Sequence, residues 1–164
     1  MKADLRIGHG YDVHRFADQE TGGEQKLGGI AVPVSHRLLA HSDGDVVLHA
    51  IADAVLGALG LGDIGEHFPD TDATWAGADS ADLLRKVWAQ AQQAGFGLGN
   101  LDITIVAQAP KLSPYKAAMR ERIAALLDCD VEYVNVKATT TEKLGFVGRR
   151  EGIATYAVLL LCRL

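Results

Sequence analysis

Three groups of residues in this 164-residue chain have the types and spacing to do chemistry. The first is Asp12-Val13-His14. On a strand, residues i and i+2 point to one face, so a carboxylate and an imidazole would stand side by side as two arms of a metal chelate. Catalytic zinc takes three such ligands and keeps one position open. Taken alone, the pair is equally a surface Asp–His contact. The second group is His41-Ser42-Asp43-Gly44-Asp45, followed by His49 and Asp53. Asp45, His49 and Asp53 recur every four residues and make a polar stripe on a helix otherwise built of Val46, Val47, Leu48, Ile51, Val55 and Leu56. His49 becomes a ligand if Asp12 and His14 lie beside it, and Asp45 or Asp53 would then orient its ring. Otherwise the stripe is a solvated face. The third group, Lys137 to Arg150, concentrates lysine, arginine, threonine and glycine in an acidic protein. Cations, hydroxyls and backbone N–H groups are what a phosphate needs. Glu142 in its midst suits a hard cation such as magnesium bridging to phosphates. The bland alternative is a strand followed by a charged loop.

Two further segments carry polar density. Asp63 to Asp72 is a loop of acids and glycines, which turn chemistry explains in part. Ala107 to Ser113 follows a strand and precedes a helix, a place where α/β proteins bind ligands and where a lysine and a helix N-terminus suit phosphate. No Walker motif or GxSxG occurs, and spacing proposes no serine–histidine–aspartate arrangement.

The elements that must position these residues alternate between strand and helix patterns. Leu5–Phe16 is extended with Gly8 and Gly10 inside it, and Lys26–Val34 reads as one short strand. Thr21–Gln25 reads as a hairpin turn. Ser42–Leu59 is a helix capped by Ser42 or Asp43 with acids in its first turn. Gly60–Ala78 is a long loop. A second helix is capped by Asp79 or Ser80 and runs to Ala94, where Gly95 ends it. Leu101–Ala107 is a buried strand, and Ser113-Pro114 starts a helix to Leu127. Val134–Ala138 is a strand, and the apolar run Gly152–Cys162 reads as a central strand covered on both faces. Residues 1–164 are therefore expected to form a single α+β (α/β-like) domain, with a mixed sheet of four or five strands on about three helices.

Net charge is −5 and 48% of residues are hydrophobic, which argues against disorder and against bulk nucleic-acid binding. Cys129 and Cys162 form no CxxC motif and read as reduced thiols. Met1 to Gly10 lacks the apolar core of a signal peptide, and the apolar runs are too short to span a bilayer. A cytoplasmic protein with no membrane association is expected.

The stretches GHGYDVHRF (8–16), LLAHSDGDVVLHAIADAVLGA (38–58), LGDIGEHFPDTD (61–72), GADS (77–80), GNLDITIVAQAPKL (99–112) and VNVKATTTEKLGFVGRREGIA (134–154) resemble, in order and over nearly the whole chain, the 2-C-methyl-D-erythritol 2,4-cyclodiphosphate synthases of the non-mevalonate isoprenoid pathway. The length matches the free-standing form of that enzyme rather than its fusion to a cytidylyltransferase. The resemblance implies a homotrimer with sheets around the threefold axis and active sites at subunit interfaces. It also implies the reaction: the 2-phosphate of 4-diphosphocytidyl-2-C-methyl-D-erythritol 2-phosphate attacks the β-phosphorus and CMP leaves.

On this resemblance Asp12, His14 and His49 hold zinc, one ion per subunit, and Glu142 holds magnesium or manganese. His41 and Thr140 are placed to act on the reacting groups, with Ser42 contacting substrate. Asp63, Ile64, Gly65, Phe68, Pro69, Asp70, Thr71 and Asp72 match the pocket for the methylerythritol phosphate. Ala107, Gln108, Ala109, Pro110, Lys111, Leu112 and Ser113, with Thr139, Thr140, Thr141 and Glu142, match the cytidine side, taken from the adjacent subunit. Phe146 and Arg149 match residues near the ligand and the trimer axis. With Glu151 they would attend an axial cavity that takes an isoprenoid diphosphate. His67 reads as a loop histidine without a shared role, and His9 and His36 as structural. Two other readings stay open from sequence: a zinc-dependent hydrolase of nucleotide diphosphates, and a trimeric binding module with structural zinc. The second sits poorly with three ligands and no cysteine among them.

Overall fold

The computed structural model describes residues 4–164. In chain order the elements are β1 (Leu5–Arg15), β2 (Glu24–Leu27), β3 (Ile30–Pro33), α1 (Val46–Leu59), α2 (Ile64–His67), α3 (Ser80–Gln93), β4 (Phe96–Val106), α4 (Lys116–Leu126), β5 (Val134–Thr139), α5 (Gly145–Gly148) and β6 (Gly152–Arg163). The main sheet runs β1-β6-β4-β5. β4 and β5 are parallel, and β6 is antiparallel to both of its neighbours. It is a single domain with a mixed four-stranded sheet and three full-length helices, as the alternating patterns predict.

The helices all lie on one face. α1 crosses β1 and β6, α3 packs on α1 and β4, and α4 packs on β5. Leu48, Ile51, Leu56, Leu84, Ile103, Ile105 and Ile153 are fully buried between them. α1 sits unusually close to β1. A Cβ on Gly8 would overlap the Ala54 carbonyl, and one on Gly10 the Ala50 carbonyl. Only glycine permits that approach. Because Gly8, Gly10, Asp12 and His14 share one face of β1, the same approach carries Asp12 and His14 up to the helix.

Several expectations need correction. The segment read as one strand over Lys26–Val34 is a hairpin, β2 and β3, turning at Gly28-Gly29 rather than at Thr21–Gln25. Both glycines have positive φ, +64° and +77°, which suits a two-residue hairpin turn. α1 starts at Val46, so Asp45 is its cap and its first turn carries no acid. Of the two candidates for α3, Asp79 is the cap. The loop over Gly60–Ala78 contains α2 and a 3₁₀ turn at Ala73–Trp75. Ser113 makes no capping bond: a 3₁₀ turn at Ser113–Tyr115 precedes α4. β6 is central in the sheet but covered on one face only. Tyr156 and Val158 project from the other face, where Ile7, Tyr11 and Val13 of β1 are also exposed, Ile7 to 78%.

Candidate active site

β1 and α1 bring Asp12, His14 and His49 together. One ligand atom from each lies within 4.8 Å of the other two. Asp12 Oδ2 is 3.2 Å from His14 Nδ1 and 3.1 Å from His49 Nδ1. His14 Nδ1 is buried yet makes no hydrogen bond. An orphaned imidazole nitrogen beside a carboxylate and a second imidazole is the donor set of a metal centre with an open position. The electrostatics agree. Burial opposes the charge on Asp12, but the two rings beside it more than offset this and hold its carboxyl below the usual range. Burial likewise opposes a charge on His49, and Asp12 outweighs it, aided by Asp45 and Asp43, so that the imidazole pKa is raised. The cluster favours positive charge at its centre.

The back of the His49 ring is held by residues that the spacing did not suggest. Nε2 lies 2.7 Å from Ser80 Oγ and 3.3 Å from Ser42 Oγ. Asp45 and Asp53 do not touch the ring. Asp45 is fully buried, and its carboxylate accepts N–H bonds from Val47 and Leu48 and from Gly28 and Gly29 of the hairpin turn. Asp53 accepts the Ile64 N–H at 2.8 Å and so ties the start of α2 to α1. Burial raises the Asp53 pKa against that bond. The stripe on α1 is thus neither a solvated face nor a support for His49; it locks neighbouring backbone. The GADS stretch contained the missed residue, but nothing local tells a helix-start serine from a ring partner.

A cavity of about 380 Å³ opens in front of the cluster. Asp12, His14, His41, Ser42, His49, Ile64, Gly65, Phe68 and Asp70 line it, together with Leu39, Ala40, Trp75 and Leu83, which sequence did not single out. Phe68 stands edge-on to Trp75, ring centroids 4.9 Å apart. Asp63 and Asp72 do not line the cavity: each caps a turn of the loop through its carboxylate. Pro69 and Thr71 belong to the same loop and are also outside the lining. His67, the last residue of α2, bonds the Leu61 carbonyl.

The second half of the expected site lies elsewhere on the chain, at the ends of β4 and β5. Ala107 and Leu112 are core residues, with the Ala107 N–H bonded to the Thr139 carbonyl. Gln108 Oε1 accepts the Lys143 N–H, which joins the 107–113 and 139–145 segments. Ala109 and Pro110 face a separate cavity of about 290 Å³ shared with Arg15, His36 and Arg150. Lys111 and Ser113 are exposed beside them. Thr139, Thr140, Glu142, Phe146 and Arg149 are exposed, and Thr141 is half-buried. Thr140 Oγ1 accepts the Glu142 N–H, and Thr141 Oγ1 donates to the Leu144 carbonyl. Glu142 and Lys143 both have left-handed backbone, φ +53° and +65°. Two consecutive non-glycine residues there cost about 1–2 kcal/mol each, a strain that tends to persist at functional loops. The single chain does not bring these residues to the Asp12–His14–His49 cavity.

A family model described as the YgbB family matches residues 5–162. The chain is 62% identical over 157 residues to the 2-C-methyl-D-erythritol 2,4-cyclodiphosphate synthase of Alcanivorax borkumensis, covering 96% of each. It is 58% identical over 159 residues to the enzyme of the same name from Vibrio vulnificus, covering 97% of this chain and 99% of that one. The chain belongs to the YgbB family of cyclodiphosphate synthases. Solved structures agree. The family fold superposes on the bifunctional IspDF of Campylobacter jejuni with a TM-score of 0.91 and 46% identity, over 98% of this chain and 42% of that one. It also matches a CDP complex of IspF from Plasmodium falciparum, with a TM-score of 0.86 and 35% identity over 99% of both chains. Among the described residues, no helix of this synthase-family chain is long and apolar enough to cross a membrane.

Proposed function

We propose that the chain converts 4-diphosphocytidyl-2-C-methyl-D-erythritol 2-phosphate to 2-C-methyl-D-erythritol 2,4-cyclodiphosphate and CMP, as a phosphorus–oxygen lyase of the non-mevalonate isoprenoid pathway. The observation that carries this is the Asp12–His14–His49 cluster with its orphaned nitrogen, open to a cavity walled by the 64–75 loop. The substrate's own 2-phosphate oxygen forms a bond to the β-phosphorus. The bond from that phosphorus to the oxygen bridging to the α-phosphate breaks, and its electron pair leaves on CMP. No water enters. The nucleophile is an already ionised phosphate, so neither a protein nucleophile nor a general base is needed, and catalysis reduces to positioning and charge neutralisation.

Zinc held by Asp12, His14 and His49, and magnesium or manganese held by Glu142 with substrate phosphates, would neutralise the phosphates as they approach. A lone exposed carboxylate suits the second ion, which characteristically keeps waters and shares its shell with phosphate. His41 and Ser42 present donors from the cavity wall. Asp63 to Asp72 shape the methylerythritol side, with Ile64, Gly65, Phe68 and Asp70 facing it. Ala107 to Ser113 and Thr139 to Glu142 receive the cytidine diphosphate of the neighbouring subunit's site, with Thr140 at the reacting phosphates. The trimer packs the open sheet faces about its axis. Phe146, Arg149 and Glu151 border an axial cavity that accepts an isoprenoid diphosphate. The protein acts in the cytoplasm.

Phosphorus NMR of protein, substrate and magnesium tests the reaction: cyclic diphosphate with equimolar CMP is expected, and linear phosphate products would mean hydrolysis. Mixing tests the composite site. His49→Ala and Glu142→Ala trimers are each inactive, but mixed trimers hold one site with both halves intact. Random exchange therefore restores up to about a quarter of the wild-type sites. Recovery no greater than the sum of the two separate variants would show that both halves act within one subunit.

A further inference from the structure

We infer that Ser80 and Asp43 form a positioning relay that fixes His49 as a metal ligand through Nδ1; this rests on the metal reading above. Ser80 Oγ has a single proton and donates it to Asp43 Oδ1. Its contact with His49 Nε2, 2.7 Å away, must then be one in which Nε2–H donates. Nδ1 is therefore the atom left free for a metal, and it lies 3.1 Å from Asp12 Oδ2. Without a metal, a proton on Nδ1 bridges the ring to Asp12 Oδ2; a metal ion would take the place of that proton, and the relay keeps Nε2 out of the coordination.

The relay is built tightly. Ser80 is 1% exposed, so water does not compete for its hydroxyl. Its side chain is free of capping duty, because Asp79 accepts the Ala81 N–H at the start of α3. The Ser80 backbone N–H donates to Asp43 Oδ2, so both carboxylate oxygens grip one residue. Asp43 is itself held: Oδ1 accepts the Asp45 N–H, and its own N–H donates to the Ala78 carbonyl. Ser42, the other neighbour of Nε2, is farther at 3.3 Å, and its oxygen already accepts the Gly44 N–H.

The test measures zinc affinity by competition with a chromophoric chelator in the full-length protein. Ser80→Ala is expected to bind zinc about 10–100-fold more weakly than wild type, with its helical circular dichroism unchanged. Ser80→Thr, which restores a hydroxyl, is expected to recover most of the loss. Asp43→Asn is expected to fall below Ser80→Ala. Its amide N–H can donate to Ser80 Oγ, turning the hydroxyl proton onto Nε2 and moving the ring proton to Nδ1. Nitrogen–proton NMR of the zinc-loaded protein reads the same bond: the His49 Nε2–H exchanges slowly in wild type and in Ser80→Thr, and rapidly in Ser80→Ala. Zinc affinity of Ser80→Ala within twofold of wild type, with its Nε2–H still protected, overturns the relay. Zinc binding that His14→Ala leaves intact in the wild-type background overturns the metal reading instead.

Discussion

One carboxylate, Asp45, closes two pieces of backbone. Its Oδ1 accepts from Val47 and Leu48 at the start of α1 and from Gly28, and its Oδ2 accepts from Gly29 of the β2–β3 turn. The residue is fully buried, so no water substitutes for it. Asp45→Ala removes a helix cap and strands the hairpin N–H groups, a combined loss of roughly 3–5 kcal/mol. The urea midpoint is expected to fall with the slope unchanged, and a loss below about 1 kcal/mol would mean that the turn finds other acceptors. Ser42, Asp43 and Asp45 are all good capping residues, and no local rule chooses among them. The choice is made by a hairpin turn sixteen residues upstream. The same limit hid Ser80. Its partner His49 is 31 positions away, whereas Asp12 and His14 were legible as a pair because a strand places them side by side by its own geometry.

At the level of elements, the sequence Gly-x-Gly-x-Asp-x-His along one face of β1 is a packing device and a site at once. The glycines admit α1, with Ala50 and Ala54 facing them, and the next two residues on that face meet His49. Gly10→Ala is expected to push the helix away, costing more than about 3 kcal/mol, and to lower zinc affinity by separating His49 from Asp12. Calorimetry and chelator competition read the two effects, and full zinc affinity at a lowered melting temperature would show that the site tolerates the displacement. The main-sheet strands and long helices were legible from their period, and the start of α3 from its cap. The β2–β3 hairpin was not, because its arms are four residues each and Gly-Gly was absorbed into a single extended run. Strand pairing also brings a pH effect. Asp102 on β4 meets Lys137 Nζ at 2.6 Å and Asn135 Nδ2 at 2.9 Å on β5. Slight burial opposes its charge, but Lys137 and Asn135 outweigh this and lower its pKa. A lowered folded-state pKa means stability that is present above the unfolded carboxylate value, near 4, and lost as pH falls through the lower folded one. The stability gap between wild type and Asp102→Asn is expected to be flat at neutral pH, to close in acid, and to stay under about 1 kcal/mol in the presence of salt. A gap that widened on acidification would refute the pairing.

The whole molecule is asymmetric in a way that a run of apolar residues cannot reveal. Gly152–Cys162 read as a strand covered twice because nearly every position is apolar, and on one protomer half of those side chains face outward. Ile7, Tyr11, Val13, Tyr156 and Val158 form a contiguous exposed apolar patch on the sheet face opposite the helices, with Tyr11 and Tyr156 ring centroids 5.0 Å apart. Patches of this kind are characteristic of surfaces that bind a partner. The two halves of the expected site also sit apart on one chain, the metal cluster against α1 and the strained 139–145 loop at the end of β5. Subunits that close the sheet faces about a threefold axis would satisfy both facts, since neighbouring chains could supply each other's missing half. Val158→Asp places a charge in the middle of that patch, beside β1 and away from the metal ligands. It is expected to yield a monomer by light scattering that still binds zinc through Asp12, His14 and His49 but turns over no substrate. An active monomer would place the whole site within one chain, whereas a zinc-free monomer would show that assembly is needed to form the metal cluster itself.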